Sequence, residues 1–249
     1  MVNKLRRALA RHGAFQTLRL TATMMTEPFL RPLRKAEGRR RARQLLNAGP
    51  LRLAVGAGPH RRPGWVNTDI GAGADLYLDI TEPLPFPEAS VECIHAEHVI
   101  EHIPKPAAYR FLQESARVLT EDGWLRLVTP DLGAVSRAYV GDIAQLGQAA
   151  TRAAVHVSEF AASEYGSNGM TAVDYINYLF TAHRHRYLYD FSTLQDMLRA
   201  AGLGNVRRAP YADSEVPELR GLELHYSAED VPLMAPFTLI VEAQRQKET

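Results

Sequence analysis

The sequence predicts an α/β protein with a mostly parallel β-sheet, and three observations support this. From Leu51 onward, short apolar runs end in small or acidic residues, a pattern typical of parallel strands buried on both faces. Segments with helical periodicity separate several of these runs, as in an α/β domain. The 249 residues, 46% hydrophobic and 23% charged, have the size and composition of one globular domain with an elaboration.

The individual elements follow from periodicity and turn residues. Strands are expected at 51–55, 65–69, 75–78, 91–95, 124–129, 206–209 and 238–243. One helix is expected over 106–119, and another over Ser192–Ala201 with Ser192 as its N-cap. The stretch 132–190 has helical patterns and no convincing strand. We interpret it as a helical insertion or lid.

Charge is distributed unevenly along the chain. Residues 1–48 contain twelve Lys or Arg and two Glu, a net charge of +10, whereas the rest carries −9. Helical patterns over 1–22 and Ala36–Leu46 predict a basic N-terminal arm preceding a domain at 49–249. We interpret the arm as helices that cap their own domain, with contact to an anionic membrane surface as the alternative. Nucleic acid is not favoured, because aromatic residues are not interleaved with the basic ones.

Cysteine use and hydropathy set the expected compartment. Cys93 is the single cysteine, so no intramolecular disulfide can form, and its apolar neighbours predict a buried position in a strand. No apolar run approaches the ~18 residues that span a bilayer, and the first residues lack the apolar core of a signal peptide. We therefore expect a cytoplasmic protein, with peripheral membrane contact as the alternative.

A glycine turn and two acidic residues follow consecutive predicted strands. The run Leu51–Val55 leads into Gly56-Ala57-Gly58, where missing side chains let the backbone approach a ligand. This is not the dinucleotide fingerprint, because Arg61 stands where its third glycine would be. Asp69 ends the next strand, where a carboxylate can accept hydrogen bonds from ribose hydroxyls. Ten residues later comes Asp79-Ile80.

This pattern resembles the class I S-adenosylmethionine (SAM) dependent methyltransferases over about residues 51–130. Within that range, the further segments that match are Leu84-Pro85-Phe86, Glu97–His102 and Arg117–Pro130. The resemblance implies a Rossmann-like methyltransferase sheet with an antiparallel late strand, SAM as cofactor and S-adenosylhomocysteine as product. The cofactor-binding residues that it implies are Gly56, Ala57 and Gly58 at the methionine part, Asp69 at the ribose, Ile70 next to Asp69, Asp79 with Ile80 at the adenine, and Glu97 beside the methyl-transfer site.

The spacing departs from the usual pattern of this architecture. Ten residues separate Gly58 from Asp69, where about 20 is common. Parallel strands normally need a crossover of about a dozen residues or more. We therefore expect shortened first crossovers, with the exposed sheet face covered by the N-terminal helices or by a second subunit in a homodimer. The short turn also places Arg61 and Arg62 beside the glycines, where a guanidinium could hold the SAM carboxylate.

Histidines are the candidate catalytic residues, because imidazole is a convenient base near neutral pH. His98 and His102 follow the fourth strand, at the edge where the methyl group would lie, and His183 and His185 belong to the insertion. We rank His102 and His185 first, then His98, and assign no metal ligand. By resemblance, O-methylation of a glycan or small molecule is the expected reaction.

Two other functions remain open at the level of the sequence. His98-Val99-Ile100-Glu101-His102 satisfies H-x-x-E-H, a zinc-hydrolase motif in which two histidines on one helical face bind the metal. Pro104 and Pro106 would limit such a helix to a very short one. The trimmed crossovers also fit a methyltransferase-like protein without activity that serves as a binding or assembly partner.

Overall fold

The computed structural model describes residues 30–71, 73–156, 171–181 and 184–246. Seven strands form one sheet in the order β3-β2-β1-β4-β5-β7-β6. They are β1 Leu51–Val55, β2 Val66–Asp69, β3 Leu76–Tyr77, β4 Val91–Glu97, β5 Leu119–Pro130, β6 Leu203–Arg208 and β7 Thr238–Arg245. Neighbouring strands are parallel except at β7, which is antiparallel to β5 and β6. The predicted mostly parallel sheet with an antiparallel late strand is confirmed.

Helices lie around this sheet. In chain order they are α1 over 30–45, α2 Lys105–Val118, α3 Leu132–Gly141, α4 Ile143–His156, α5 Ala172–Thr181, α6 Phe191–Ala200 and α7 Val231–Met234. Short 3₁₀ turns occur at Leu46–Ala48, Ile100–His102, Pro217–Leu219 and Ala235–Phe237. None of the helices among the described residues is both long enough and apolar enough to cross a membrane.

The main core lies between the sheet and the helices α1, α2 and α6. Strand residues such as Leu53 and Ile94 are completely buried, as are Phe111 of α2 and Leu194 of α6. Cys93 is buried in β4 as predicted. The packing therefore contains the buried strands and amphipathic helices that the apolar runs indicated.

The first connections of the sheet contain no helix in the part of the chain that the structure describes, so the shortened crossovers are confirmed. Helix α1 takes their place against the sheet. Its Ala42 is completely buried in the main core. Its Gly38 lies so close to β3 that a Cβ there would stand 2.6 Å from the carbonyl oxygen of Tyr77. Arg31 of α1 also pairs with Asp79, which follows β3.

The N-terminal helix differs in extent from the prediction. It covers residues 30–45 rather than Ala36–Leu46, and Leu46–Ala48 form a 3₁₀ turn. Gly49 then adopts a φ of 110°, a backbone conformation that glycine tolerates best and that ends the helix. The predicted helix over 1–22 lies outside the described residues.

The insertion after β5 builds a small core of its own. Helices α3, α4 and α5 bury Val135, Leu146, Tyr175 and Leu179 against one another, and Phe237 joins this group from the turn before β7. The predicted helical insertion is therefore confirmed. Because its core is separate from the core of the sheet, the two can respond differently to substitution.

Several predicted element ends are wrong in detail; β6, for example, covers Leu203–Arg208 rather than 206–209. Helix α6 is capped by Asp190, whose carboxylate accepts a hydrogen bond from the N–H of Thr193 at 2.9 Å, while Ser192 donates its hydroxyl to Asp190. Strand β5 begins at Leu119 rather than at 124, because Leu119 already pairs with Val91 of β4.

Candidate functional site

A cavity of about 450 Å³ opens where the carboxyl ends of β1 and β4 face the insertion. One wall, which we call the sheet wall, consists of the turn at Gly56–His60 with Arg62 and Glu97. The opposite wall, the insertion wall, carries side chains of the insertion and of the segment before β7: Tyr175, Tyr178, Leu179, His185, His225, Tyr226, Asp230, Met234 and Phe237. His98, His102 and Pro130 also line the cavity. Ligand sites commonly occupy this edge of an α/β sheet.

The glycine turn forms a backbone cradle at the end of β1. Gly56 and Gly58 have φ values of 62° and 52°, which side chains other than glycine adopt only with strain. A Cβ on Gly56 would lie 2.3 Å from a methyl carbon of Val99, so no side chain fits there. A Cβ on Gly58 would meet no atom within 4 Å. Gly58 thus leaves open space at the sheet wall, as close approach of a ligand requires.

Asp69 lies at the end of β2 beside this cradle. One carboxylate oxygen accepts the N–H of Gly58 at 3.0 Å, and the other accepts the N–H of Gly71 at 2.6 Å. Each oxygen retains a further lone pair for hydroxyl donors. Ile70 follows with 59% of its surface exposed, so its apolar face is available to a ligand. The cradle and this carboxylate fit the methionine and ribose parts of SAM.

Asp79 and Ile80 lie away from the cavity. The Asp79 carboxylate accepts hydrogen bonds from the N–H and the hydroxyl of Thr81, at 3.0 and 2.6 Å, and pairs with Arg31 of α1. Ile80 is buried in the main core. Their role at the adenine therefore stays a prediction, and the contacts seen join the loop after β3 to α1.

Glu97 and Arg62 form a buried ion pair at the sheet wall, with 2.5 Å between Arg62 Nη2 and Glu97 Oε2. The Arg62 guanidinium also donates to the Leu222 carbonyl, and Glu97 accepts the N–H groups of Leu224 and His225. Burial raises the pKa of Glu97, yet the neighbouring His95, the Leu224 N–H and Arg62 together lower it to about 2. Glu97 is therefore ionised and anchors the segment around residues 222–226.

The two arginines after the glycines point in different directions. Arg62 lines the cavity, but its charge is paired with Glu97. Arg61 turns to the loop between β2 and β3, where it pairs with Asp75 at 2.6 Å and donates to the Gly73 carbonyl. Arg61 is thus bound outside the cavity and Arg62 is paired with Glu97, so the hypothesis that a guanidinium here holds the SAM carboxylate stays a prediction.

His98 does not share a helix face with His102. Its φ is 52°, and only the three residues Ile100–His102 after it form a 3₁₀ turn. Nδ1 of His98 lies 3.0 Å from Glu101 Oε1, and its ring packs at a tilt of 38° against His225, with 4.2 Å between centroids. The paired histidines on one helix that the zinc-hydrolase hypothesis needs are therefore not formed by His98 and His102.

The structure instead brings together Glu101, His102 and His185. The rings of His102 and His185 lie 4.8 Å apart at the cavity, and Glu101 is completely buried next to them. Nδ1 of His185 is 2.5 Å from the Leu179 carbonyl oxygen, and Glu101 accepts the Thr129 hydroxyl at 3.1 Å. The two histidines ranked first from the sequence thus meet, although 83 positions separate them. His183 lies outside the described residues.

Several cavity residues escaped the sequence analysis. His225, Tyr226 and Asp230 belong to the segment between β6 and β7, which the sequence presented as a loop rich in proline and acidic residues. Tyr226 is held by stacking on Tyr211, with 6.1 Å between ring centroids. The pair His225-Tyr226 beside acidic residues was the available signal, but nothing local indicated that it reaches the cavity.

The fold and this site together define a cofactor-dependent transferase domain, with a cradle at the end of β1 and a carboxylate at the end of β2. The family model of a methyltransferase domain matches residues 28–208, and the chain belongs to this family. It is a class I SAM-dependent methyltransferase, and SAM is its cofactor.

Solved structures of such enzymes are similar to the chain. A SAM-dependent methyltransferase from Archaeoglobus fulgidus is 13% identical, with 89% of this chain and 99% of that one covered and a TM-score of 0.45. A SAM-dependent methyltransferase from Thermotoga maritima, described as a possible histamine N-methyltransferase, is 16% identical over 90% and 100%, with a TM-score of 0.44. A phosphoethanolamine N-methyltransferase from Haemonchus contortus with S-adenosylhomocysteine bound is 11% identical over 80% and 49%, with a TM-score of 0.43. No curated protein matches the sequence.

Proposed function

We propose that this methyltransferase methylates a hydroxyl oxygen of a glycan or a small molecule. The observation that carries the proposal is the meeting of His102 and His185 at the same cavity as the Gly56–Gly58 cradle. Methyl transfer to a hydroxyl requires that its proton be removed, and basic groups must lie beside the acceptor oxygen for this. Transfer to an amine or to a carbon acceptor places different demands on the site, and the experiment described below distinguishes these acceptors from hydroxyls.

The two walls have separate tasks in this proposal. SAM supplies a methyl group whose bond to sulfur breaks with the electron pair staying on sulfur while the acceptor oxygen forms the new bond to carbon. Gly56, Ala57 and Gly58 hold the cofactor through backbone contacts, and Asp69 with Ile70 orients its ribose. Glu97 shapes the sheet wall through Arg62. In-line transfer then depends on how the insertion wall orients the acceptor.

His102 and His185 accept the acceptor proton in this proposal. The Leu179 carbonyl can only accept a hydrogen bond, so Nδ1 of His185 carries its proton and Nε2 is the basic nitrogen. His102 faces His185 at a ring distance of 4.8 Å. His98, with Nδ1 on Glu101, is a positioning residue for that carboxylate rather than a base.

The acceptor class follows from the size and lining of the insertion wall. A cavity of about 450 Å³ lies within the range of small-molecule sites, roughly 300 to 1,000 Å³. Tyr175, Tyr178 and Phe237 present aromatic surface that suits a sugar face or a planar ring. These features favour one sugar unit or one ring system at the site.

The test is S-adenosylhomocysteine formation from SAM with a panel of sugars, phenols, amines and carbon acids. We expect turnover with hydroxyl acceptors and its loss in His102→Gln and His185→Asn, with SAM binding retained. Turnover only with amines or carbon acids would overturn the proposed acceptor. Absence of calorimetric binding of both SAM and S-adenosylhomocysteine would instead favour the inactive binding protein.

We also propose that the outer face of α1 contacts an anionic membrane surface. Arg39, Arg40 and Arg43 are exposed and lie together, whereas Ala42 faces the core. Exposed basic side chains are attracted to anionic lipid by about 1 kcal/mol each. Co-sedimentation with phosphatidylserine vesicles is expected to weaken in Arg39→Gln/Arg43→Gln, and equal binding to neutral vesicles would contradict the proposal.

A further inference from the structure

The geometry points to a divalent-cation site formed by Glu101, His102 and His185 at the edge of the insertion wall. Each residue offers one ligand atom, and these three atoms lie within 4.8 Å of one another. Glu101 has no exposed surface. Burying a carboxylate is costly unless its charge is compensated; His98 and the Thr129 hydroxyl bind Glu101, and a cation would compensate its charge further.

Hydrogen bonds outside the group hold the ligands in orientations that suit a metal. Histidine ligands usually donate their other ring N–H to a carbonyl or carboxylate, as Nδ1 of His185 does to Leu179. Glu101 is oriented by the Thr129 hydroxyl and by His98. Its backbone carbonyl accepts the N–H of Arg186 at 2.7 Å, which ties the segment carrying His185 to the turn carrying Glu101.

The ligand set selects the kind of ion. Two imidazoles with one carboxylate suit Zn²⁺, Co²⁺, Fe²⁺ or Mn²⁺, whereas Mg²⁺ and Ca²⁺ prefer oxygen ligands throughout. Ligand bonds of about 2.1 Å place donor atoms roughly 3 to 3.5 Å apart, so the group must close slightly around an ion. His102 and His185 are half-buried, and binding requires their rings to rotate towards Glu101.

Three protein ligands leave coordination positions open, as in catalytic metal sites. Because His102 and His185 line the cavity, these positions face the acceptor. This use of the ion rests on the proposed function. An ion held by Glu101, His102 and His185 would act as a Lewis acid: it would lower the pKa of an acceptor hydroxyl, whose proton would pass to water as the methyl group moves from sulfur to oxygen. The ion keeps its oxidation state. In this scheme His102 and His185 act as ligands, and the ion, rather than the histidines, promotes loss of the acceptor proton.

Cation binding is tested without SAM or acceptor, so that the result does not depend on the reaction. Chelator-treated full-length protein is titrated with Co²⁺, followed by its visible absorption, and then with Zn²⁺ by calorimetry. We expect about one equivalent of Zn²⁺ to bind and to displace Co²⁺. In His185→Asn and Glu101→Gln the affinity is expected to fall by at least about tenfold.

His60→Asn is the matched control, because His60 lines the same cavity but is not among the three ligands. It is expected to bind Zn²⁺ like the unmodified protein. Thermal unfolding of each variant verifies that it is folded. If Glu101→Gln does not fold because Glu101 is buried, the test uses His185→Asn alone. Equal Zn²⁺ affinity in the unmodified protein and in His185→Asn would overturn the site.

Methyl transfer before and after chelation separates this inference from the proposed function. Activity that falls on chelation and returns with Zn²⁺ or Mn²⁺ supports the use of the ion. Stoichiometric Zn²⁺ binding with no transfer to any hydroxyl acceptor supports the site and contradicts the proposed function. Full hydroxyl methylation by chelated protein that is shown to contain no metal supports the function and overturns the use of the ion.

Discussion

The sheet wall and the insertion wall of the cavity are built in different ways. The sheet wall consists of backbone at Gly56 and Gly58 and of side chains already bound to partners, as Glu97 is to Arg62. The insertion wall presents side chains such as Tyr175 and Leu179, which belong to a separate small core. The cofactor side of the cavity is therefore set by strand pairing, whereas the acceptor side depends on a helical unit that can change without disturbing the sheet.

Removing Arg62 is expected to have the largest effect, because it supports the sheet wall from within. Arg62→Met leaves the buried Glu97 carboxylate unpaired, which costs about 3–5 kcal/mol. Arg61→Met removes only an exposed pair with Asp75, worth about 0–1 kcal/mol. Urea unfolding measures both free energies. A loss below about 1 kcal/mol in Arg62→Met would mean that the sheet wall does not depend on this pair.

Low pH is expected to lower the free energy of unfolding, because Glu97 at the sheet wall becomes protonated. Its folded pKa is about 2, below the ordinary 4.5, so its stabilisation is present above about pH 4.5 and is lost as the pH falls towards 2. The full amount is about 3 kcal/mol. Unfolding free energies at several pH values in this window should fall less steeply in Glu97→Gln. Parallel curves for the two proteins would show that Glu97 does not carry this dependence.

Substitutions at the two cradle glycines separate the effect of side-chain packing on stability from the effect of ligand contact on binding. Gly56→Ala meets Val99 and keeps a positive φ, so a loss of about 2–4 kcal/mol is expected. Gly58→Ala has the positive φ but open space, and it should cost only about 1–2 kcal/mol while its methyl group weakens S-adenosylhomocysteine binding. Thermal unfolding and calorimetry measure the two effects. Equal stability of both variants would contradict the contact with Val99.

Substitutions at two helix glycines are expected to change stability with opposite signs. Gly38→Ala in α1 would place its Cβ 2.6 Å from the Tyr77 carbonyl oxygen, so about 1–3 kcal/mol is lost despite the better helix propensity of alanine. Gly147→Ala in α4 meets nothing within 4 Å and should gain about 0.5–1 kcal/mol. A gain in both variants, measured by thermal unfolding, would show that α1 can move away from β3.

Much of the sheet wall was predictable because its signals are local. The apolar run ending at Gly56 and the acidic end of the next strand place cradle and carboxylate at one edge, since the ends of parallel strands meet there. The short distance from Gly58 to Asp69 also predicted the missing crossover helices. The partners of Arg61 and Asp79 were not predictable, because several opposite charges were within reach of each in the sequence.

The insertion wall was predictable only in outline. Helical periodicity indicated α4 and α5, and the position of His98 and His102 after β4 indicated a reactive edge. Glu101 entered only as part of a zinc motif on a helix that the chain does not form. Its actual partner, His185, comes from a distant segment whose placement depends on backbone contacts such as Arg186 N–H to the Glu101 carbonyl.

The sequence by itself determined the order of the strands along the chain, the glycine cradle and the acidic strand end, because periodicity and backbone freedom are properties of neighbouring residues. The sequence left two candidates for the cover of the shortened crossovers, and tertiary structure places α1 there; tertiary structure alone brings Glu101, His102 and His185 together. Such meetings depend on the packing of segments far apart in the chain, and packing depends on the shape and burial of many side chains at once.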